Sequence, residues 1–217
     1  MLNKVPESLL AYYLPSLKPY FPQSLQPRSS PKANQYVLDT VAQSDLEEYT
    51  LLEKLQRKES GLETMQAAAE CKDHMAAGID TTGDGLCFLM WELSQPHNLA
   101  FQQRLQNELT SAQPDASLDS LVYLDAVIKE ALRCSPPIPM SLPRYVPDGG
   151  RIIDGHFIPA HTIVSCQPYT VHRSYENVFP EPDRFNPDRW LEAEGAAERN
   201  RHFFAFSIGG RGCTGKK

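Results

Sequence analysis

Along most of the chain, apolar positions recur at the three- and four-residue spacing of amphipathic helices. Val37, Leu38 and Val41, then Leu46, Tyr49, Leu51, Leu52 and Leu55, predict two short helices. Ser60 with Glu63 three residues on is a capping box, and it predicts a long helix from 62 to Ser94, stopped by Pro96. At 1.5 Å per residue such a helix is roughly 50 Å long. Leu99, Phe101, Leu105 and Leu109 predict a surface helix over 97–112, with Arg104 and Glu108 as an i,i+4 pair. Ser117 is the expected cap of the next helix. There Leu118, Leu121, Val122, Leu124, Val127, Ile128, Ala131 and Leu132 cover most of the circumference, which predicts burial. After Pro136-Pro137 the pattern shortens to strands. These are 144–146, a hairpin of 151–153 and 156–158 around Asp154-Gly155, and 162–164. At the start, prolines 6, 15, 19, 22, 27 and 31 leave room for a short helix over Glu7–Leu14 and an irregular tract from Pro19 to Pro31. Three prolines within 177–190 predict a rigid, extended segment outside any sheet. The expected class is mainly α with small β hairpins.

Three places break the pattern in a way that suggests chemistry. The middle of the long helix, Ala76-Ala77-Gly78-Ile79-Asp80-Thr81-Thr82-Gly83, is poor in helix formers. Each glycine there costs about 1 kcal/mol relative to alanine, so something large is expected to pass close to the backbone. Thr81 lies one turn after Ala77, where its hydroxyl can bond back to a carbonyl and locally open the helix. Glu130 and Arg133 stand three apart in a helix that otherwise reads as buried, and unpaired buried charges are costly. Finally, Phe203 to Gly215 carries Gly209, Gly210, Gly212 and Gly215 around Cys213. Glycine allows close backbone approach, and Arg211 brings a cation near the sulfur. Amide donors and a cation favour thiolate, the form that ligates metal or attacks an electrophile.

Composition narrows the options. The 217 residues carry net charge −6 and a pI near 5.5, which argues against nucleic acid as a partner. Hydrophobic residues at 41% and charged residues at 22% fit a packed core. No apolar run is long enough to span a bilayer, and Pro6 and Glu7 interrupt any signal-peptide pattern. The five cysteines are odd in number, widely spaced and without a CxxC, which reads as free thiols in a reducing, intracellular compartment. Cys71-x-x-His74 is half of a zinc pattern whose second half is missing.

The run Phe-x-x-Gly-x-Arg-x-Cys-x-Gly, Phe206 to Gly215, resembles the heme-binding loop of the cytochrome P-450 family. Ala77-Gly78-x-Asp80-Thr81-Thr82 resembles the oxygen-activating segment of that family's long central helix. Glu130-Ala131-Leu132-Arg133 resembles its Glu-x-x-Arg motif. Pro187-Asp188-Arg189-Trp190 resembles its Pro-Glu-Arg-Phe motif, with Asp for Glu and Trp for Phe. The four occur in the family's order and cover roughly 46–217. The resemblance implies the C-terminal portion of the cytochrome P-450 fold, truncated: long central helix, buried Glu-x-x-Arg helix and cysteine loop. The expected domains are 1–61, short helices and the proline-rich segment, and 62–217, a partial heme-binding domain. The usual helix after the cysteine loop and the Trp-x-x-x-Arg helix are not found; the tryptophans are Trp91 and Trp190.

By the same resemblance the cofactor is heme b, iron protoporphyrin IX, with Cys213 as the metal ligand. Arg211, Phe206, Gly209, Gly215 and Ala77 would surround it, and Arg144 would reach a propionate. Thr81 would hydrogen-bond the dioxygen being activated, and Asp80 would help relay protons. Arg189 would join Glu130 and Arg133 in a structural charge network. Ile138, Met140 and Leu142 would line the space above the heme. The implied function is a heme-thiolate monooxygenase placing one oxygen atom from O2 into an apolar small molecule, with electrons from a separate reductase. The family also suggests the endoplasmic reticulum membrane, although no anchor is read in this chain. Two other readings stand beside it: a non-catalytic remnant without productive heme binding, and a cysteine-nucleophile enzyme. In the second, His202 is the nearest base in sequence but lacks an orienting partner motif.

Overall fold

The computed structural model describes residues 31–43 and 46–216. The helix expected over Glu7–Leu14 and the tract from Pro19 to residue 30 lie outside the described residues. The chain divides into two compact units, one up to Ala76 and one from Ala77.

In the first unit, α1 (Pro31–Val41) starts on a proline, whose fixed φ suits the first helical position. The shorter α2 (Leu51–Gln56) is capped by Thr50, whose hydroxyl accepts the Glu53 N–H at 3.2 Å. Val37, Val41, Leu52 and Ala68 form the core of this unit, flanked by Leu46, Cys71 and Met75. The long helix α3 is Thr64–Ser94. Ser60 does not cap it. A 3₁₀ turn, Lys58–Ser60, and the left-handed Gly61 intervene, and the Ser60 hydroxyl is spent on the Leu55 and Arg57 carbonyls at 2.7 Å. Gln66 takes the task instead, accepting the Glu63 N–H at 2.8 Å, which is the reach-back half of a capping box.

α3 runs unbroken through its three glycines. Thr81 Oγ1 donates to the Ala77 carbonyl at 2.6 Å without interrupting the helix. A Cβ added at Gly78 or Gly83 would meet nothing within 4 Å. At Gly85 it would touch Leu132 and Pro137 at ordinary contact distance, 3.7 and 3.6 Å.

The second unit is built around α4 (Leu99–Ser111) and α5 (Val122–Cys134). Leu105, Tyr123, Val127, Ala131, Cys134 and Phe185 are its core, with Leu89, Leu93, Phe101, Leu124 and Leu191 packed around them. Phe101 and Phe185 meet edge to face at 6.1 Å. α5 is less enclosed than its pattern predicts, since Val122 and Ile128 are exposed. Its start also differs from expectation, because Ser117 makes no side-chain cap bond and a 3₁₀ turn, Leu118–Ser120, precedes the helix. Glu108 of α4 supplies the cap from outside, accepting the N–H groups of Tyr123 and Leu124, each at 2.8 Å. Glu108 is thereby withdrawn from the expected pair with Arg104, which binds Asp188 at 2.6 Å and lies over the Tyr123 ring.

Two small antiparallel sheets follow. β1 (Leu142–Tyr145) pairs with β4 (Ile163–Cys166), with Arg144 opposite Val164. β2 (Arg151–Ile153) and β3 (His156–Ile158) form the expected hairpin, closed by Asp154 (φ 49°) and Gly155 (φ 79°). Both turn residues are left-handed, as a tight two-residue connection between twisted strands requires. α6 (Pro168–Ser174), the 3₁₀ turn Pro187–Trp190 and α7 (Ala196–His202) lead to the cysteine loop. Residues 187–190 are thus coiled rather than extended, with Asn186 accepting the Asp188 N–H at 3.2 Å.

Candidate functional site

The most polar point of the second unit is also among its most buried. Glu130 and Arg133 have no exposed surface, and Arg189 is 4% exposed. Arg133 forks onto Glu130, Nε to Oε2 and Nη2 to Oε1, both at 2.9 Å. Arg189 donates from Nε to Oε1 at 3.0 Å. The Asn186 backbone N–H and the Trp190 indole N–H complete the carboxylate shell, each at 2.9 Å. Burial alone would raise the Glu130 carboxyl. The Arg133 hydrogen bonds and the two guanidinium charges outweigh it and hold the carboxyl below its ordinary value. Burial likewise opposes the charge on Arg133, and the pairing with Glu130 prevails. Arg133 also donates from Nη2 to the Cys134 sulfur at 3.0 Å, and other guanidinium donors go to carbonyls. Arg133 reaches His172 and Pro182, and Arg189 reaches Pro180. Next to this node the Cys134 thiol is pushed by burial up to about 12, so it stays protonated.

α6 carries the node toward the cysteine loop. His172 Nδ1 meets the Arg133 carbonyl at 3.0 Å, and Nε2 accepts the Phe204 N–H at 2.8 Å. Arg173 bonds the Cys134 carbonyl at 2.8 Å and Asp183 at 2.9 Å. Beyond Phe204 the loop folds on itself. Ser207 N–H donates to the Phe204 carbonyl at 3.0 Å, Gly212 N–H to Gly209 at 3.0 Å, and Cys213 N–H to Phe206 at 2.9 Å. Gly209 takes φ 69°, the left-handed region open to glycine. Aromatic rings buttress the entry, with Trp190 edge-on to Phe203 at 5.3 Å and Phe203 edge-on to Phe206 at 6.3 Å.

A cleft of ≈ 440 Å³ lies between this loop, α3, α5 and the segment after α5. Thr81, Thr82, Gly85, Leu86 and Leu89 line it from α3, and Ile128, Ala131 and Leu132 from α5. Pro137, Ile138 and Leu142 close one side, with Pro168 at the start of α6. The loop contributes Phe204 to Ser207, Arg211, Cys213 and Gly215. The cleft is mostly apolar, and the Cys213 thiol is free and exposed. A Cβ at Gly215 would sit 3.8 Å from the Cys213 sulfur.

Of the residues singled out in the sequence, the structure brings Thr81, Phe206, Arg211, Cys213 and Gly215 to this one cleft. It brings Glu130, Arg133 and Arg189 to one buried node. Ala77, Asp80, Gly209 and Arg144 do not line the cleft. Asp80 and Ala77 are exposed, and the Arg144 guanidinium bonds the Pro143 carbonyl at 2.8 Å. Met140 does not line the cleft, whereas Ile138, though partly exposed, and Leu142 are at its wall. His172, Arg173 and the indole of Trp190 are functional groups the sequence did not single out, and Glu108 has a role other than the one its spacing predicts. A lone histidine at an unremarkable spacing carries no signal of its own. Trp190 had one, because it departs from the phenylalanine of the resembled motif and brings an N–H.

The sequence profile of the family described as Cytochrome P450 matches residues 23–217. Over 172 residues the chain is 34% identical to cytochrome P450 monooxygenase ORF11 of Penicillium roqueforti (strain FM164), covering 76% of this chain and 35% of that protein. It is 36% identical over 162 residues to cytochrome P450 monooxygenase cpaH of Aspergillus oryzae, covering 71% and 31%. It is 40% identical over 150 residues to cytochrome P450 monooxygenase macH of Penicillium terrestre, covering 65% and 29%. The chain therefore spans about a third of the length of these relatives. No helix among the described residues is long and apolar enough to cross a membrane. With the match covering nearly the whole sequence and the motifs gathered at one cleft and one node, the chain belongs to the cytochrome P450 family.

Proposed function

We propose that this chain carries the cysteine-loop part of a heme-thiolate monooxygenase, with Cys213 as the residue that would hold heme iron through its sulfur. The observation that carries the reading is that Cys213 and Thr81 line the same apolar cleft. The residues present fit the group. The cleft volume lies within the range of about 300–1,000 Å³ found for cofactor and small-molecule sites. One wall offers a sulfur donor, Arg211 offers a cation for an anionic edge, and the rest is apolar. When bound, heme with a thiolate ligand supplies the electron density that favours O–O cleavage.

The chain's own residues support that chemistry in separate ways. The Cys213 backbone N–H is held by the Phe206 carbonyl, which fixes the base of the ligand side chain. Thr81 lines the cleft with its hydroxyl proton donated to the Ala77 carbonyl, so its oxygen can accept a hydrogen bond there, and donating one to dioxygen would require it to release that carbonyl. Asp80, the neighbouring residue, is exposed and is the group that would help relay protons from solvent. Leu86, Leu89, Ile128, Leu132 and Leu142 give the cleft apolar walls that favour an apolar substrate. O2 and an electron-donating reductase are the remaining partners of the proposed reaction.

The test is spectroscopic. The purified chain is titrated with hemin, reduced and exposed to carbon monoxide; the strongly red-shifted Soret band of thiolate ligation is expected. Cys213→Ala should abolish that band. The same band in the alanine variant would remove Cys213 from the role.

A further inference from the structure

His172 is fully buried and uses both ring nitrogens. The Arg133 carbonyl can only accept, so Nδ1 carries the proton; the Phe204 N–H can only donate, so Nε2 does not. The imidazole is therefore neutral and held in one tautomer. Its ring stacks on Phe203 at 5.8 Å with an 11° interplanar angle, and meets Phe179 edge-on at 6.3 Å. One end of this side chain thus grips the backbone of the residue that forks onto Glu130. The other grips the first cleft-lining residue of the cysteine loop.

The rest of the loop makes this grip consequential. Among the described residues, the hydrogen bonds of 205–215 stay within the loop, to the carbonyls of Phe204, Phe206 and Gly209. Among the described residues, the hydrogen bond from Phe204 N–H to His172 is the one that ties 204–215 to the rest of the fold, beside the edge-on contact of Phe206 with Phe203. Displacing Phe204 therefore displaces Phe206 through the covalent chain, and with it the carbonyl that holds Cys213 N–H.

We propose that His172 is a positioning residue for the cysteine loop. Its neutral imidazole ties the Glu-x-x-Arg helix to Phe204 and so sets where the Cys213 sulfur stands in the cleft. The statement about the sulfur rests on the reading of Cys213 as a ligand; the tether itself is a property of the fold.

Two variants separate the ends of the tether. His172→Asn places an amide donor near the Nδ1 position, keeping the Arg133 carbonyl, and falls short of Phe204. His172→Gln places a carbonyl near the Nε2 position and keeps an acceptor for Phe204 N–H. Hydrogen–deuterium exchange of the whole chain without cofactor, read by mass spectrometry, is compared over 204–213 and over 122–134. Exchange over 204–213 is expected to rise about fivefold in the asparagine variant, the factor one ordinary hydrogen bond supports. It should stay near wild type in the glutamine variant, and 122–134 should be unchanged in both. With hemin and carbon monoxide, the asparagine variant should lose the red-shifted Soret band and the glutamine variant keep it. Equal loop exchange in the two variants, or loss of the fold in both, overturns the proposal, because His172 is then core packing alone. A wild type that gives no thiolate band, with the contrast in exchange intact, supports the tether and overturns the ligand assignment instead. A band retained in the asparagine variant, with loop exchange at the wild-type rate, overturns the tether and leaves the ligand assignment standing.

Discussion

Arg189 donates its Nε–H to Glu130 at 3.0 Å across 59 residues of sequence, with both side chains buried. Glu130 also faces Arg133, so two guanidinium groups share one carboxylate. Such an arrangement owes little to net Coulomb gain, because each ion gave up its water. What makes it hard to disturb is the cost of leaving partners behind. Glu130→Gln keeps the size and one acceptor but leaves two buried cations without a counter-charge. The expected loss is about 3–5 kcal/mol in urea unfolding. A loss below about 1 kcal/mol would mean that water reaches the node.

Glu108 offers a second, independent test. Its two oxygens take the second and third N–H groups of α5, which sit at the positive end of that helix. Glu108→Ala exposes both donors and should cost about 1–3 kcal/mol, with Glu108→Gln roughly half as severe, since one acceptor oxygen remains. Urea unfolding followed by far-UV circular dichroism measures this directly. An alanine variant as stable as the wild type would show that solvent caps the helix equally well.

These two glutamates show what was legible in the sequence. Glu130 was readable because it lies in a helix whose apolar positions predict burial, so a charge there demands a partner. Arg133 lies one turn away, and Arg189 followed from a second motif. Glu108 was read as the i,i+4 partner of Arg104, because helical spacing records only neighbours on the same element. Its true partners are backbone groups on the next helix, and Arg104 turns to Asp188. Ser60 and Ser117 failed as caps for a related reason, since Ser60 ends a 3₁₀ turn and Ser117 precedes one, and spacing rules do not register such turns. The hairpin at Asp154-Gly155 was legible in full, because the turn chemistry is local. Thr81 and Cys213 were identified by motif, but that they share one cleft is a fact of packing.

His172 gives the chain a defined acid sensitivity. Burial pushes its imidazole down to about 4 from 6.5, aided by the nearby Arg133 and Arg173 charges and opposed by the bond to the Arg133 carbonyl. Between those values the unfolded chain binds a proton that the folded chain refuses, so stability rises with pH across the interval. The contribution is fully present above about 6.5 and is lost as pH falls toward 4. It amounts to about 3 kcal/mol, at roughly 1.36 kcal/mol per decade of proton affinity. Glu92, raised by burial, acts in the opposite sense, so the measurement is a difference. Unfolding free energies at pH 7 and pH 4.5 should converge between wild type and His172→Gln as the pH is lowered. A constant gap between the two would mean that the imidazole is not held neutral.

The glycines of α3 separate a helix weakness from a ligand surface. A Cβ at Gly83 meets nothing within 4 Å, so Gly83→Ala should stabilise the chain by about 0.5–1 kcal/mol through the unfolded state. Gly150 supplies the contrast. Its φ is +73°, and a Cβ there would lie 2.5 Å from the Phe157 ring and 2.8 Å from the Ile158 carbonyl. Gly150→Ala should therefore cost about 2–4 kcal/mol, from left-handed strain and overpacking together. Thermal melts of both variants test the pair. Hemin affinity of the first tests something further. Gly83 does not line the cleft, whereas Gly85 does, so Gly83→Ala should bind hemin as the wild type does. If it bound hemin less well while melting higher, the glycine would mark the close backbone approach that the weak helix sequence first suggested.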